Sequence, residues 1–84
     1  MSNTLERVKE VTAEILKIDA SSIKDNARFV EDLGAESIQS IELVAGFEEE
    51  FDIEMDEDAA LAVRSIDKAV VFIEDVLSQL KKGG

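Results

Sequence analysis

Residues 31–51 read Glu31-Asp32-Leu33-Gly34-Ala35-Glu36-Ser37-Ile38-Gln39-Ser40-Ile41-Glu42-Leu43-Val44-Ala45-Gly46-Phe47-Glu48-Glu49-Glu50-Phe51, and how this stretch is read decides the fold. The first five residues make a polar turn around Gly34. From Ser37 onward good helix formers dominate, with no proline. Leu43, Phe47 and Phe51 recur every four residues, with Val44 beside them, so they share one face of a helix. Ile38, Ile41 and Ala45 form a second apolar track at spacings of three and four, flanked by Glu42, Glu48 and Glu49. A surface helix needs only one apolar stripe. Two stripes fit a helix with one side for the core and one for a partner or cargo. They equally fit a central helix buried on both sides, and periodicity alone leaves both readings open.

Outward from this helix, the N-terminal segment carries Leu5, Val8, Thr12 and Ile15 at helical spacing, broadened by Val11 and Leu16, with Asn3 or Thr4 as a cap. This predicts a helix over 3–16. Periodicity then fails from Lys17 to Asp32, where Asp19, Ser21, Ser22, Asp25 and Asn26 are turn formers and Ile18, Ile23, Phe29 and Leu33 are isolated apolar anchors. A single turn near Ser21–Lys24 fits there, and a loop this long suggests a functional approach to the next helix. Beyond residue 51 the chain turns without proline. Asp56 can then cap a short helix over 57–62, and Ser65 a final one over 66–81, striped by Ile66, Ala69, Val70, Ile73, Val76, Leu77 and Leu80. Lys81 and Lys82 suit that helix's C-terminal dipole, and Gly83-Gly84 reads as a frayed end. The fold class is therefore all-α: a small four-helix bundle of three longer helices and one short helix, with a long loop between the first and second. A single domain over residues 1–84 is expected.

Twenty acidic against nine basic side chains give a net charge of −11. That excludes nucleic-acid binding and adsorption to anionic membranes, and favours partners with basic patches. No basic residue lies between Arg28 and Arg64, a span that includes the acids from Glu48 to Asp58. Carboxylates crowded near a helix C-terminus oppose the helix dipole, and docking of basic partners is the simplest reason to tolerate that cost. There is no cysteine or histidine, so thiol chemistry, disulfides and the commonest general base and metal ligand are absent. The acids at Asp52–Asp58 lack the glycine and full loop of an EF-hand, and no metal site is expected. No apolar run reaches membrane-spanning length and no signal peptide is evident, so a cytoplasmic location is expected. Near Ser37 the only ionisable neighbours are Glu36 and Glu42, which gives no activated nucleophile and no catalytic residue. Read from position alone, Ser37 is a helix N-cap whose hydroxyl accepts from the amide of Gln39 or Ser40.

The run Phe29-Val30-Glu31-Asp32-Leu33-Gly34-Ala35-Glu36-Ser37-Ile38, followed by Ile41-Glu42-Leu43 and Glu48-Glu49-Glu50-Phe51-Asp52-Ile53, resembles the acyl carrier proteins of type II fatty acid and polyketide synthesis. The likeness extends from near Asn3 to about Leu80. It implies a non-catalytic carrier with 4'-phosphopantetheine on Ser37, whose thiol bears acyl intermediates as thioesters. It also implies recognition by a phosphopantetheinyl transferase, acyltransferases and ketoacyl synthases through Glu36, Ile38, Ile41, Glu42, Glu48 and Glu49, with the carrier a monomer. Leu43, Val44, Phe47, Ile66 and Val70 become candidates for lining an acyl-chain pocket, or simply core. Three departures stand out. Glu36 replaces the usual Asp, Gln39 stands where many fatty acid carriers have an acid, and Ala45-Gly46 replaces bulkier residues, Gly46 costing about 1 kcal/mol against alanine while opening space beneath the helix. A carrier of polyketide or aminoacyl intermediates, and an unmodified acidic interaction module, are the competing readings.

Overall fold

The computed structural model describes residues 3–83, with side chains described to Leu80. Helix α1 spans Thr4–Leu16, α2 Ser37–Phe51, α3 Glu57–Leu61 and α4 Ile66–Gly83, with a 3-10 turn at Ala20–Ser22. Asn3 caps α1, its side-chain oxygen accepting from Glu6 N–H at 2.8 Å. Helices α1 and α2 end alike, in a residue held left-handed: Lys17 at φ 60° and Asp52 at φ 55°. Each donates its amide to the carbonyl four residues back, Ala13 and Glu48 respectively, and so satisfies an orphan acceptor of the last turn. Gly83 continues α4, where the sequence suggested fraying. The charges of Lys81 and Lys82, and Gly84, lie outside the described residues.

The core draws Val8, Val11 and Ala13 from α1, Leu43, Phe47 and Phe51 from α2, and Ile66, Ala69 and Ile73 from α4. Thr12 is fully buried, and its hydroxyl donates to Val8 O at 2.8 Å. Helix α1 packs against both α2 and α4, and α3 packs against α2. The α1–α2 seam is tight at Gly46. A Cβ there would stand 2.7 Å from Ile15 Cδ1 and 3.0 Å from Val11 Cγ1. The space that Gly46 leaves beneath α2 is thus taken by α1 rather than left open.

The long loop is ordered by a short antiparallel pairing. Phe29 N–H donates to Arg64 O at 2.9 Å and Ile66 N–H to Ala27 O at 2.8 Å, flanking the Arg28–Ser65 bridge. Ile23, Ala27, Phe29 and Ala35 are buried along it, and the Phe29 ring lies 6.3 Å from that of Phe47, tilted by 48°. Residues 28–35 fold back on themselves. Asp32 N–H and Leu33 N–H both donate to Arg28 O at 3.0 Å, Gly34 N–H to Val30 O at 3.1 Å, and Ala35 N–H to Phe29 O at 2.8 Å. Gly34 sits at φ 75°, which explains a glycine there. The Asp32 carboxylate accepts from Arg28 N–H at 2.8 Å and from its guanidinium at 3.2 Å. These bonds, the backbone one first, hold its pKa below the ordinary 3.8.

Replacing Gly46 by alanine is expected to bring no net stability in urea unfolding, the propensity gain of about 1 kcal/mol being offset by the clash with Ile15. In an Ile15→Val background, which removes Cδ1, the same substitution becomes stabilising, and equal effects in the two backgrounds would refute the close approach. Asp32 gives a second test. A depressed carboxyl stabilises above its unfolded pKa, and that contribution is lost as pH falls through the folded value. The stability gap between the native chain and Asp32→Asn, at fixed high salt, should therefore be constant above pH 3.8 and shrink below it. A gap unchanged down to pH 2 would contradict this.

Candidate functional site

The apolar tracks of α2 part company in the fold. Leu43, Phe47 and Phe51 are buried, whereas Ile38 and Ile41 are 65% and 51% exposed and Ala45 is exposed too. Ile41 and Glu42 lie three and four residues after Ile38, Ala45 four and three after them, and Glu49 four after Ala45, so they form one continuous outward face. Ser37 opens that face as the first helical residue and is exposed.

Ser37 is not the N-cap. That position belongs to Glu36, extended at φ −89° and ψ 168°, and Gln39 reaches back so that its Oε1 accepts from Glu36 N–H at 2.9 Å. Ser40 N–H is already engaged by Glu36 O at 2.9 Å. The Ser37 hydroxyl therefore does not do the capping expected of it, and it takes part in no hydrogen bond among the described residues. An exposed, unengaged hydroxyl beside the first-turn amides of a fifteen-residue helix fits a phosphodiester link.

The acids differ among themselves. Glu36, Glu42 and Glu49 are exposed, but Glu48 is half-buried and its Oε2 accepts from Met55 N–H at 2.8 Å, closing the turn into α3. Glu50 pairs with Arg7, Nε to Oε2 at 2.8 Å, while the same guanidinium donates to Glu50 O at 2.8 Å and lies 4.3 Å above the Phe51 ring. The acidic end of α2 is thus partly neutralised from within.

A cavity of about 220 Å³ opens between α2, α3, α4 and the loop. Leu43, Val44 and Phe47 line it, and so do Phe29, Val30, Met55, Leu61, Val63, Phe72 and Ile73. Ile66 and Val70, pocket candidates that the resemblance implies, do not. Ile66 is 0% exposed within the core and Val70 is half-buried against it. Two residues in the lining are polar, Ser40 from α2 and Arg64 from the segment before α4. Ser40 lies three residues beyond Ser37, so the cavity begins within one turn of the exposed serine. Phe72 falls off the α4 stripe, and its one sequence signal was an aromatic three residues after Ala69. Among the described residues, no helix is long and apolar enough to cross a membrane.

Two comparisons bear on this geometry. Residues 6–73 match the family model described as the phosphopantetheine attachment site. In three dimensions the chain is similar to a protein assigned as an acyl carrier protein from Mycobacterium tuberculosis, with TM-score 0.77 and 25% identity over 84% of this chain and 95% of that one. The small helical bundle and the match over most of the chain agree: this chain belongs to the phosphopantetheine-attachment family, as a non-catalytic domain of the acyl-carrier type whose cofactor is covalently attached 4'-phosphopantetheine.

Proposed function

We propose that Ser37 is the attachment residue and that the chain carries acyl intermediates, fatty acyl groups before polyketide or aminoacyl ones, between enzymes in the cytoplasm. The observation that supports this best is the Ser37 hydroxyl, exposed and without an intramolecular partner at the first residue of α2. In the attachment step its oxygen attacks the coenzyme A phosphorus nearest the pantetheine. The P–O bond to the adenosine 3',5'-bisphosphate moiety breaks, and the hydroxyl proton passes to a base of the transferase. The bound group supplies a thiol, which this chain lacks.

The chain's own residues orient and recognise. Helix α2 holds Ser37 outward. Ile38 and Ile41 offer a small apolar patch ringed by Glu36, Glu42 and Glu49, suited to a basic docking surface on transferases, acyltransferases and ketoacyl synthases. Glu48 contributes less to docking than its neighbours, because its carboxylate is turned toward Met55. The cavity, lined by Leu43, Val44 and Phe47, is the proposed shelter for the acyl chain. Pocket volumes for drug-sized ligands run about 300–1,000 Å³, so 220 Å³ suits a short or medium chain without rearrangement.

Intact mass after incubation with coenzyme A, magnesium and a broad-specificity phosphopantetheinyl transferase should show one added phosphopantetheine. Ser37→Ala should show none, and Ser40→Ala should be modified as the native chain is; a folded native chain that gains no mass would leave the unmodified interaction module as the reading. For docking, Glu42→Lys with Glu49→Lys should lower the rate of modification several-fold at low salt, the deficit narrowing as salt rises. Glu48→Ala should instead lower stability by about 1 kcal/mol, largely restored in Glu48→Gln, with little effect on rate. A reversed ranking would move Glu48 back to the docking face.

A further inference from the structure

Helix α2 has two residues at which it could begin. Serine is among the best N-cap residues and glutamate has little preference for the position, so local chemistry favours a start one residue later. Ser37 would then be the cap, its hydroxyl accepting from the amide of Gln39 or Ser40. The structure takes the other start. Glu36 is the extended residue, at φ −89° and ψ 168°, and Ser37 is already helical. What offsets the missing preference is the half-buried side chain of Gln39, whose Oε1 accepts from Glu36 N–H at 2.9 Å. Ser40 N–H, on which a Ser37 cap would draw, is bonded to Glu36 O at 2.9 Å, and the Ser40 hydroxyl lies 3.4 Å from the same oxygen. Upstream, Ala35 is buried and its N–H donates to Phe29 O at 2.8 Å, so the chain reaches Glu36 from a fixed point.

The two starts treat the Ser37 hydroxyl differently. As a cap, Ser37 would lie in the extended region and give one of its two oxygen lone pairs to a backbone amide. As the first helical residue it keeps both lone pairs and is held by the helix. Attack on phosphorus needs a lone pair that is free and a side chain whose direction is set. Resting on the reading that Ser37 takes the phosphopantetheine, we propose that Gln39 is a positioning residue for the attachment step. Its amide oxygen fixes the start of α2 at Glu36, and so keeps the Ser37 hydroxyl out of the capping role that serine favours. Gln39 acts through Glu36 N–H and not on the reacting atoms. The step itself is unaltered: the Ser37 oxygen displaces adenosine 3',5'-bisphosphate from phosphorus, and its proton goes to the transferase.

Two variants separate the acceptor from the bulk of the side chain. Gln39→Met keeps its length and helix preference and removes the acceptor, whereas Gln39→Glu keeps an acceptor for Glu36 N–H. Both are compared with the native chain in attachment by a broad-specificity phosphopantetheinyl transferase with coenzyme A and magnesium, read by intact mass. High salt screens the charge that glutamate adds. Gln39→Met is expected to lower kcat several-fold with KM for the carrier little changed, and Gln39→Glu to restore the native kcat. A second readout needs no transferase. The Cα and Cβ shifts of Ser37 should be helical in the native chain and in Gln39→Glu, and move toward extended values in Gln39→Met, while those of Leu43 and Phe47 stay in place. A native kcat in Gln39→Met, or Ser37 shifts that remain helical there, overturns the proposal. So does a loss confined to KM, which would put Gln39 on the docking face, or a collapse of the Leu43 and Phe47 shifts, which would make it a residue of general stability. A folded native chain that gains no mass removes the Ser37 reading and this one with it, whereas a native chain that loads no faster than Gln39→Met removes this one alone.

Discussion

Two backbone hydrogen bonds, Phe29 N–H to Arg64 O and Ile66 N–H to Ala27 O, hold most of this molecule's functional side in place. A long loop that must run from α1 to the start of α2 would carry its ordering cost without return if nothing tied it down. Here the pairing joins its middle to the residues that begin α4. Phe29 is then seated on Phe47, and Ala35 N–H, bonded to Phe29 O, fixes the backbone immediately before Glu36 and Ser37. The same pairing fixes Val63 and Arg64 at the cavity. One short junction thus sets the exposed serine, the cavity wall and the base of α4 relative to one another.

The acidity of the chain is not spread evenly in its effects. Glu50 and Glu48, at the unfavourable end of the α2 dipole, are used within the fold by Arg7 and by Met55 N–H. Glu36, Glu42 and Glu49 remain exposed on the face that Ser37 opens. Charges that stay in water are weakly coupled to stability and strongly coupled to the encounter with a partner. The outward acids therefore influence binding more than folding, and the inward ones do the reverse.

Much of this was legible in the sequence. The bounds of α2, its buried Leu43–Phe47–Phe51 face, the Asn3 cap and the short α3 all follow from spacing and residue type. The role of Ser37 within the helix was not, because the N-cap is decided by where the backbone leaves the extended region. That happens at Glu36, a residue with little capping preference, with Gln39 completing the turn. The resemblance implies Ile66 and Val70 beside Leu43 as pocket candidates, and the periodicity of α4 finds a buried stripe without saying which neighbour it meets. In the fold Ile66 is core, while Ala69, Phe72 and Ile73 look onto the cavity. Gly46 shows the same limit: low helix propensity signals a special position, but only the approach of Ile15 shows that the position is filled.

The bundle is braced on one side and open on the other, and the contrast follows from which helices touch. Helix α1 packs against both α2 and α4, with its seam to α2 tight enough at Gly46 to exclude a methyl group, and no described residue of α1 lines the cavity. One wall of the cavity is Ala60 and Leu61 of α3, a helix of five residues with too few internal hydrogen bonds to be stable by itself. Among the helices that line the cavity, displacement of α3 therefore costs least. Ser37 sits outside and Ser40 lines the cavity, one helical turn apart on the braced helix. Under the proposed attachment at Ser37, the arm begins on the helix that α1 braces and can turn either toward a partner on the acidic face or toward the cavity, without displacing the helix that holds it.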